Sequence, residues 1–514
     1  MRRITTLVLI LLAVLLIAQA AFSLQWPIAH DEAPLLYEAF LMHSEGRVPY
    51  RDLFDFQMPG SFAAYYLLGR LSGFSGFFRL RLLDLGILAA LLTITFLFMR
   101  RFGKPVAFAA SILFGLKYMQ GGAFMSLQRE YLLLGFVALA VWLSMRDVLT
   151  YKHRLLIGIL FGLSAVIKPH AALGLLPILL FDIIDLIQRR KLTLLKSATT
   201  STLPIGIGFA LPVLAVIAWL ALTDALTPFI DIALHYWPLY AQVNGQMEIT
   251  ESGTRIPFLL NQSLRLGGHA LWFIPALLGV YLVPQENKRQ AYLLAGLAVC
   301  YAIYPAFSGQ FFEYHYIPFI YFIVILASLA LTEQHPLPTH HTPTSLLPST
   351  MLRAGFPFSS LILVAVLVIT IHPSNTFLRQ IQNRPIAKTT DRAEEIASYL
   401  EENMQVGDTV QPLDWTGGTL LAMLETRAPL ATKYVFDFYF YHHVSTPYIQ
   451  NLRADFMDEL QAANPRFIVE VIAVDKPWLT GPDTSREFPE LRAFLKENYS
   501  VTILEDDYII YEKR

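Results

Sequence analysis

The stretch His30–Gly60, HDEAPLLYEAFLMHSEGRVPYRDLFDFQMPG, follows an apolar N-terminal run directly and opens on two adjacent carboxylates, Asp31 and Glu32. Further acids, Arg47, Arg51, paired aromatics and a closing Pro59–Gly60 complete it. A polar, charge-dense segment pressed against a membrane span is a place where water-soluble chemistry can meet a lipid. The reading of this stretch decides the fold, because the remaining chain must build a membrane platform around it.

Composition agrees. Of 514 residues, 55% are hydrophobic and 15% charged, and the mean hydropathy is +0.47. Soluble domains carry about 25% charged residues, so the deficit marks a membrane protein. A formal net charge of −1 argues against a nucleic-acid partner bound through a basic surface. Cys300 is the sole cysteine and sits in an apolar run, so an intramolecular disulfide is excluded. Phe, Tyr and Trp make up 13% of the chain, as interfacial aromatic belts require. The N-terminal MRRITTLVLILLAVLLIAQAAF has the basic start, apolar middle and small residues of a cleaved signal peptide. With many spans behind it, it reads better as an uncleaved signal-anchor.

A span needs about 20 apolar residues at 1.5 Å each. Candidates fall at 5–24, 82–99, 105–119, 131–145, 155–168, 170–187, 201–222, 269–284, 290–307, 316–332 and 356–372. The expected fold class is therefore a polytopic α-helical membrane protein of about eleven helices. Lys and Arg then gather on alternate loops: Arg2–Arg3, Arg100–Arg101–Lys104, Arg146–Lys152–Arg154, Arg189–Arg190–Lys191 and Lys288–Arg289. That side is cytoplasmic by the positive-inside rule, with the N-terminus inside and the C-terminus outside.

The first outside loop, 25–81, holds the opening stretch. Within it SFAAYYLLGRLSG is apolar but too short to span, and reads as an interfacial helix. Arg79 and Arg81 follow, where lipid phosphates would lie. Later outside loops carry Arg129 within GlnArgGlu at 128–130, then Asp231, His235, Trp237 and Arg255, and finally Tyr314 and His315 in SGQFFEYHY. The stretch 333–355 is rich in Pro, Thr and His and reads as a flexible cytoplasmic linker. His335, His340 and His341 there lack fixed carboxylates and are not read as a metal site. Domain bounds follow: 1–372 for the transmembrane part and 373–514 for an extracytoplasmic domain. In the latter, DRAEEIASYLEENM and LRAFLKEN read as helices, and GDTVQPLDW, PRFIVEVIAV and VTILEDDYIIYEKR as strands, a small α/β domain. GxGxxG, P-loop, HExxH, CxxC and GxSxG patterns are missing from the sequence.

Several residues together resemble the GT-C superfamily of membrane glycosyltransferases, in the branch of protein-mannosyltransferase-like enzymes and the aminoarabinose transferase of lipid A. These are the acidic pair Asp31–Glu32, the Gly46, Pro49, Tyr50, Asp52 pattern, Pro59–Gly60, the GLSAVIKP span end with Lys168 and Pro169, and EYHYIPF. The resemblance implies an inner-membrane enzyme of the cell envelope. It would move a hexosyl, mannosyl or pentosyl group from polyprenyl phosphate to an extracytoplasmic lipid, glycan or protein acceptor, with inversion. It names no certain cofactor and leaves a divalent cation open. In one place the chain departs from the pattern: relatives often have Lys-Pro-Pro-Gly where Gln57, Met58, Pro59 and Gly60 stand, and that Lys is thought to hold the donor phosphate.

An acceptor hydroxyl has a pKa far above 7, so a carboxylate must take its proton as the new bond forms. The departing lipid phosphate needs cationic or hydrogen-bonding support. By carry-over from the family, Asp31 is the expected base, with Glu32 beside it and Asp55 as a second acid. Arg51, Arg129, Lys168, His170, Arg255, Tyr314 and His315 are the expected phosphate or substrate ligands. Each also has an ordinary reading. Asp31 and Glu32 suit a helix N-terminus, where carboxylates favour the dipole; Asp55 suits a turn. The Arg and Lys suit interfacial anchors, and the His packing among aromatics. The rival function is a transporter or flippase for a lipid-linked sugar. That would put ionisable residues mid-span, whereas here Asp84 and Asp182 lie near span ends and the other acids gather in outside loops.

Overall fold

Arg2–Ser23 contains no acid, glycine or proline, and it forms one uninterrupted helix, α1. Its Leu7, Ile10, Leu11, Val14 and Ile17 are exposed, as a lipid-facing side requires. The computed structural model describes residues 2–74, 76–243, 255–309, 311–332, 366, 388–472, 476 and 483–514. Beyond α1 come α2 (Glu32–Ser44), α3 (Pro59–Ser72), α4 (Phe77–Met99), α5 (Lys104–Gln120), α6 (Arg129–Leu132), α7 (Leu134–Ser144), α8 (Tyr151–Ile167), α9 (Leu175–Arg190) and α10 (Leu194–Leu222).

Among the described residues six helices are long and apolar enough to cross a membrane: Thr5–Ser23, Phe77–Phe102, Pro169–Arg190, Leu194–Leu222, Gln285–Phe307 and Glu313–Leu331. A seventh arises if Leu259–Gly268 and Ala270–Leu282, bent by 70°, count as one span. The expected spans 105–119 and 155–168 are the 17-residue helices α5 and α8, and 131–145 divides into short α6 and the 11-residue α7. Helices of these lengths cover about 26 Å and about 17 Å, less than a hydrocarbon core of about 30 Å. The eleven expected spans thus comprise six full-length helices, one bent pair, three shorter helices and 356–372. That last segment lies outside the described residues except for Val366, as does the 333–355 linker. The helix Ile317–Ser328 is buried on all sides.

Close backbone approach explains the glycines of the GLSAVIKP span end. At Gly162 an added Cβ would lie 2.5 Å from the Phe209 carbonyl oxygen, so α8 and α10 pack main chain to main chain. Gly60 does the same at the start of α3: a Cβ there would lie 2.5 Å from the Val166 carbonyl oxygen. Pro59, whose fixed φ suits a first helical position, begins α3, and Gly73 at φ 81° ends it. The expected interfacial helix is therefore a helix; its outer side exposes Leu67 and Leu71 while Phe62, Tyr65 and Leu68 are buried.

The C-terminal part is the α/β unit expected. β1 (Val410–Leu413), β2 (Phe467–Val471), β3 (Tyr499–Leu504) and β4 (Tyr508–Lys513) form one sheet in the order β1-β2-β4-β3. β1 and β2 pair in parallel, so the chain must cross over between them, and it does so through helices Thr419–Thr426 and Pro447–Ala463. The sequence pattern anticipates Lys388–Asn403 and Pro489–Asn498 but neither crossover helix.

This unit closes over the opening stretch. The Tyr37 hydroxyl donates to the Ala428 carbonyl at 2.7 Å, and Arg47 donates to the Leu430 and Thr432 carbonyls at 2.7 and 3.3 Å. The Phe54 amide donates to Lys433 O at 2.9 Å, and the Tyr439 hydroxyl to Phe54 O at 3.0 Å. Every residue of α2 from Glu32 to Leu41 is consequently buried.

Candidate active site

Asp31 stands at the N-cap of α2 yet makes no capping hydrogen bond with its side chain. His30 before it takes a left-handed φ of 52°, an uncommon conformation for a side-chain-bearing residue. That turn aims the carboxylate away from the helix and at Arg129. Asp31 Oδ2 accepts from Arg129 Nη2 at 2.5 Å, and Oδ1 lies 3.0 Å from His30 Nδ1. Burial opposes its charge, but His30 and Arg129 outweigh that and hold the carboxyl well below its usual range.

Arg129 begins α6 and is the hub. Besides Asp31 it donates to the Gln57 side-chain carbonyl, and its buried Nε has no acceptor. Glu130 beside it faces Lys168 Nζ at 3.2 Å, His315 Nε2 at 3.5 Å and the Tyr304 hydroxyl at 3.3 Å. Although fully buried, Glu130 is held below its usual range by Lys168, His315 and Arg129. Its Oε2 has no partner. Tyr314 leans on His30 with ring centroids 5.8 Å apart, and Phe124 and Trp415 flank the same imidazole at 4.3 and 6.4 Å. The pocket thus takes walls from the first loop, the bundle and the C-terminal unit.

Asp55 lies behind Gln57, whose backbone amide donates to Asp55 Oδ1 at 3.1 Å. It is fully buried and faces Glu38 of α2. Burial raises Asp55 to about 7, and burial together with Asp55 raises Glu38 well above the carboxylate range.

Of the expected residues, Asp31, Asp55, Arg129, Lys168, Tyr314 and His315 come together. His170 flanks them, its ring 5.5 Å from that of Tyr304. Three do not join. Glu32 is locked in a fully buried fork with Arg81 at 2.6 and 2.7 Å, and also accepts from the Ala29 amide. Arg81, expected near lipid phosphates, is instead spent on Glu32, Ser126 and the Trp26 and Pro27 carbonyls, because its fully buried fork matches that donor-accepting pocket. Arg51 is exposed, bound to Asp52 and the Thr223 carbonyl. Arg255 begins the helix Arg255–Arg265, and its side chain lies outside the described residues. Glu38 and Glu130 were not among the expected residues. Glu38 had one legible signal, a carboxylate inside an otherwise apolar helical run. Among the described residues no group of three or more His, Cys, Asp or Glu is arranged to hold a metal ion.

No family model matches the chain, and no curated protein is similar to it in sequence. Solved structures are similar in fold. ArnT from Cupriavidus metallidurans bound to undecaprenyl phosphate superimposes with a TM-score of 0.57 at 13% identity, over 98% of this chain and 97% of that one. Its apo state gives 0.57 at 14% identity over the same shares. The archaeal oligosaccharyltransferase AglB from Archaeoglobus fulgidus, in complex with an inhibitory peptide and a dolichol-phosphate, gives 0.45 at 12% identity over 91% and 69%. The chain has the fold of ArnT over nearly its whole length.

Proposed function

We propose that this chain is an inner-membrane glycosyltransferase that takes a sugar from polyprenyl phosphate and passes it to an acceptor hydroxyl outside the cytoplasm. The observation that carries the reading is the buried Asp31–Arg129 pair on an ArnT-like fold, with Arg129 Nε and Glu130 Oε2 left unpartnered in the same pocket. A buried donor without an acceptor is costly, and an anionic ligand such as the lipid phosphate would satisfy it. ArnT, whose fold is shared, is a protein seen with undecaprenyl phosphate.

In this reading the acceptor oxygen attacks the anomeric carbon while the bond from that carbon to the phosphate oxygen breaks. The phosphate leaves with the electron pair, and Arg129 and Lys168 take up its charge. The acceptor proton passes to Asp31, which is ionised at neutral pH and oriented by two neighbours. A guanidinium shared between carboxylate and phosphate also couples the two halves of the site: donor binding draws Arg129 toward the phosphate and returns basicity to Asp31. Gln57 stands where relatives carry Lys, and Arg129 with Lys168 supplies the cations instead. Glu32 serves the loop's shape. Arg51, bound at the surface, is not assigned to the phosphate. Asp84 and Asp182 are each engaged, by Tyr118 and Ser126 and by Arg154, which does not fit ions on a transport path.

The test is transfer from labelled polyprenyl-phosphate sugars in membranes, wild type against Asp31→Asn. Loss of a general base lowers the rate by about 10²–10⁴-fold. Equal transfer by both removes Asp31 as the base. No transfer from any donor, with carrier movement across vesicles, identifies a flippase.

A further inference from the structure

Glu38 Oε1, Glu38 Oε2 and Asp55 Oδ2 are all buried without a hydrogen-bond partner. The two carboxyls come from different elements, α2 and the 50–58 loop, and neither side chain reaches solvent. Three orphaned acceptors in a dry pocket cannot all belong to carboxylates, since two adjacent negative charges repel and neither is solvated. A proton between them supplies a donor for one and removes the repulsion.

We propose that Glu38 and Asp55 hold one proton between them, and that Glu38 is thereby a positioning residue that sets when Asp55 is charged during transfer. This rests on the glycosyltransferase reading above.

The surroundings leave the pair few alternatives. Arg129 is the cation that faces both carboxyls among the described residues, and it is already bound to Asp31 and Gln57. Tyr50 of the same loop, Tyr236 and Tyr240 from the 232–240 segment, and Tyr439 of the C-terminal unit complete the titratable neighbours. Burial keeps these phenols neutral, and the Tyr50 and Tyr439 hydroxyls donate to the Gln57 and Phe54 carbonyls rather than to the acids. A neutral Gln57 at the place of the relatives' Lys leaves the acids one cation short, and a retained proton restores the balance. The link to the reaction is short: Asp55 holds the Gln57 amide, the Gln57 side chain holds Arg129, and Arg129 holds Asp31.

The test combines two measurements on the full-length protein in detergent. Infrared difference spectra report the protonated-carboxyl C=O stretch, identified by its shift in D2O. The pH profile of labelled sugar transfer reports the working site. Wild type at neutral pH is expected to show a band that Glu38→Gln and Asp55→Asn both lose, and that Gln57→Lys loses at a lower pH than wild type does. An amide at 38 can donate to Asp55, so Glu38→Gln is expected to move the acidic limb of the profile down by about one unit, a tenfold change, with its plateau retained. A band absent from wild type, or unchanged in both carboxyl variants, overturns the shared proton. An unmoved limb with uniformly lower rates overturns the positioning role and leaves Glu38 a packing residue. If wild type transfers no sugar at any pH, the functional reading falls and Glu38's part in it also, while the infrared band still decides the proton.

Discussion

At the scale of single residues, identical chemistry is given different tasks by its neighbours. Four carboxylates lie within or beside the pocket: Asp31, Glu38, Asp55 and Glu130. Asp31 and Glu130 are surrounded by cations and stay ionised. Glu38 and Asp55 face each other, and burial pushes both upward. A consequence for stability follows from the sign. Asp55 titrates near 7 when folded, against about 3.9 in an unfolded chain. The unfolded chain therefore gives up this proton first, and the group's contribution falls as pH rises from about 4 to 7. Asp55→Asn should raise the melting temperature in detergent at pH 8, and that advantage should shrink below 7 and vanish near 4; an advantage independent of pH would show that ionisation is not its origin. Asp31 and Arg129 stand out in the chain because they fall in loops beside spans, Asp31 also because it resembles a family's first-loop acid. Glu38 shows only as an acid in an apolar helical run, because nothing local says which acid 17 residues further on it will meet.

At the scale of elements, the approach from α1 into α2 is held by the Glu32–Arg81 fork. Both side chains are fully buried, and the guanidinium also ties down the Trp26 and Pro27 carbonyls. Removing one partner leaves an uncompensated buried charge, which costs about 3–5 kcal/mol. Glu32→Gln should accordingly lower the melting temperature markedly, and the double variant Glu32→Gln/Arg81→Met should recover part of the loss; no recovery would mean that Arg81 acts through its carbonyl contacts. Helices here are well anticipated where an apolar run has clear ends, as at α1 and α3, whereas α10 begins seven residues before its expected span. Span lengths are not. Hydropathy measures apolar content, and a 17-residue helix such as α5 has enough of it without the reach. The crossover helix Thr419–Thr426 is buried in a continuous run from Thr419 to Leu424, so no period marks it; Pro447–Ala463 does carry one, in Ile449, Leu452, Phe456, Met457 and Leu460, and only its neighbourhood of clustered aromatics obscures it.

At the scale of the whole molecule, α2 is buried between the bundle and the C-terminal unit, and the sheet's alternation of helices and strands was readable while this docking was not. Docking depends on groups nearly 400 positions apart, such as the Tyr37 hydroxyl and the Ala428 carbonyl. Arg47 is the polar part of that contact that can be tested most directly. Charged hydrogen bonds of this kind contribute about 1.5–3 kcal/mol each, so Arg47→Ala should lower the melting temperature by several degrees and speed proteolytic release of residues 388–514. Unchanged release would place the hold in the aromatic contacts around Phe54 and Tyr439. The burial of α2 also imposes an order in time. Asp31 is made long before Trp415, which walls its pocket, and Tyr439, which pins Phe54. A nascent chain that stops short of those two residues carries the ionisable residues around Asp31 without the ring beside His30 or the hydroxyl that holds Phe54.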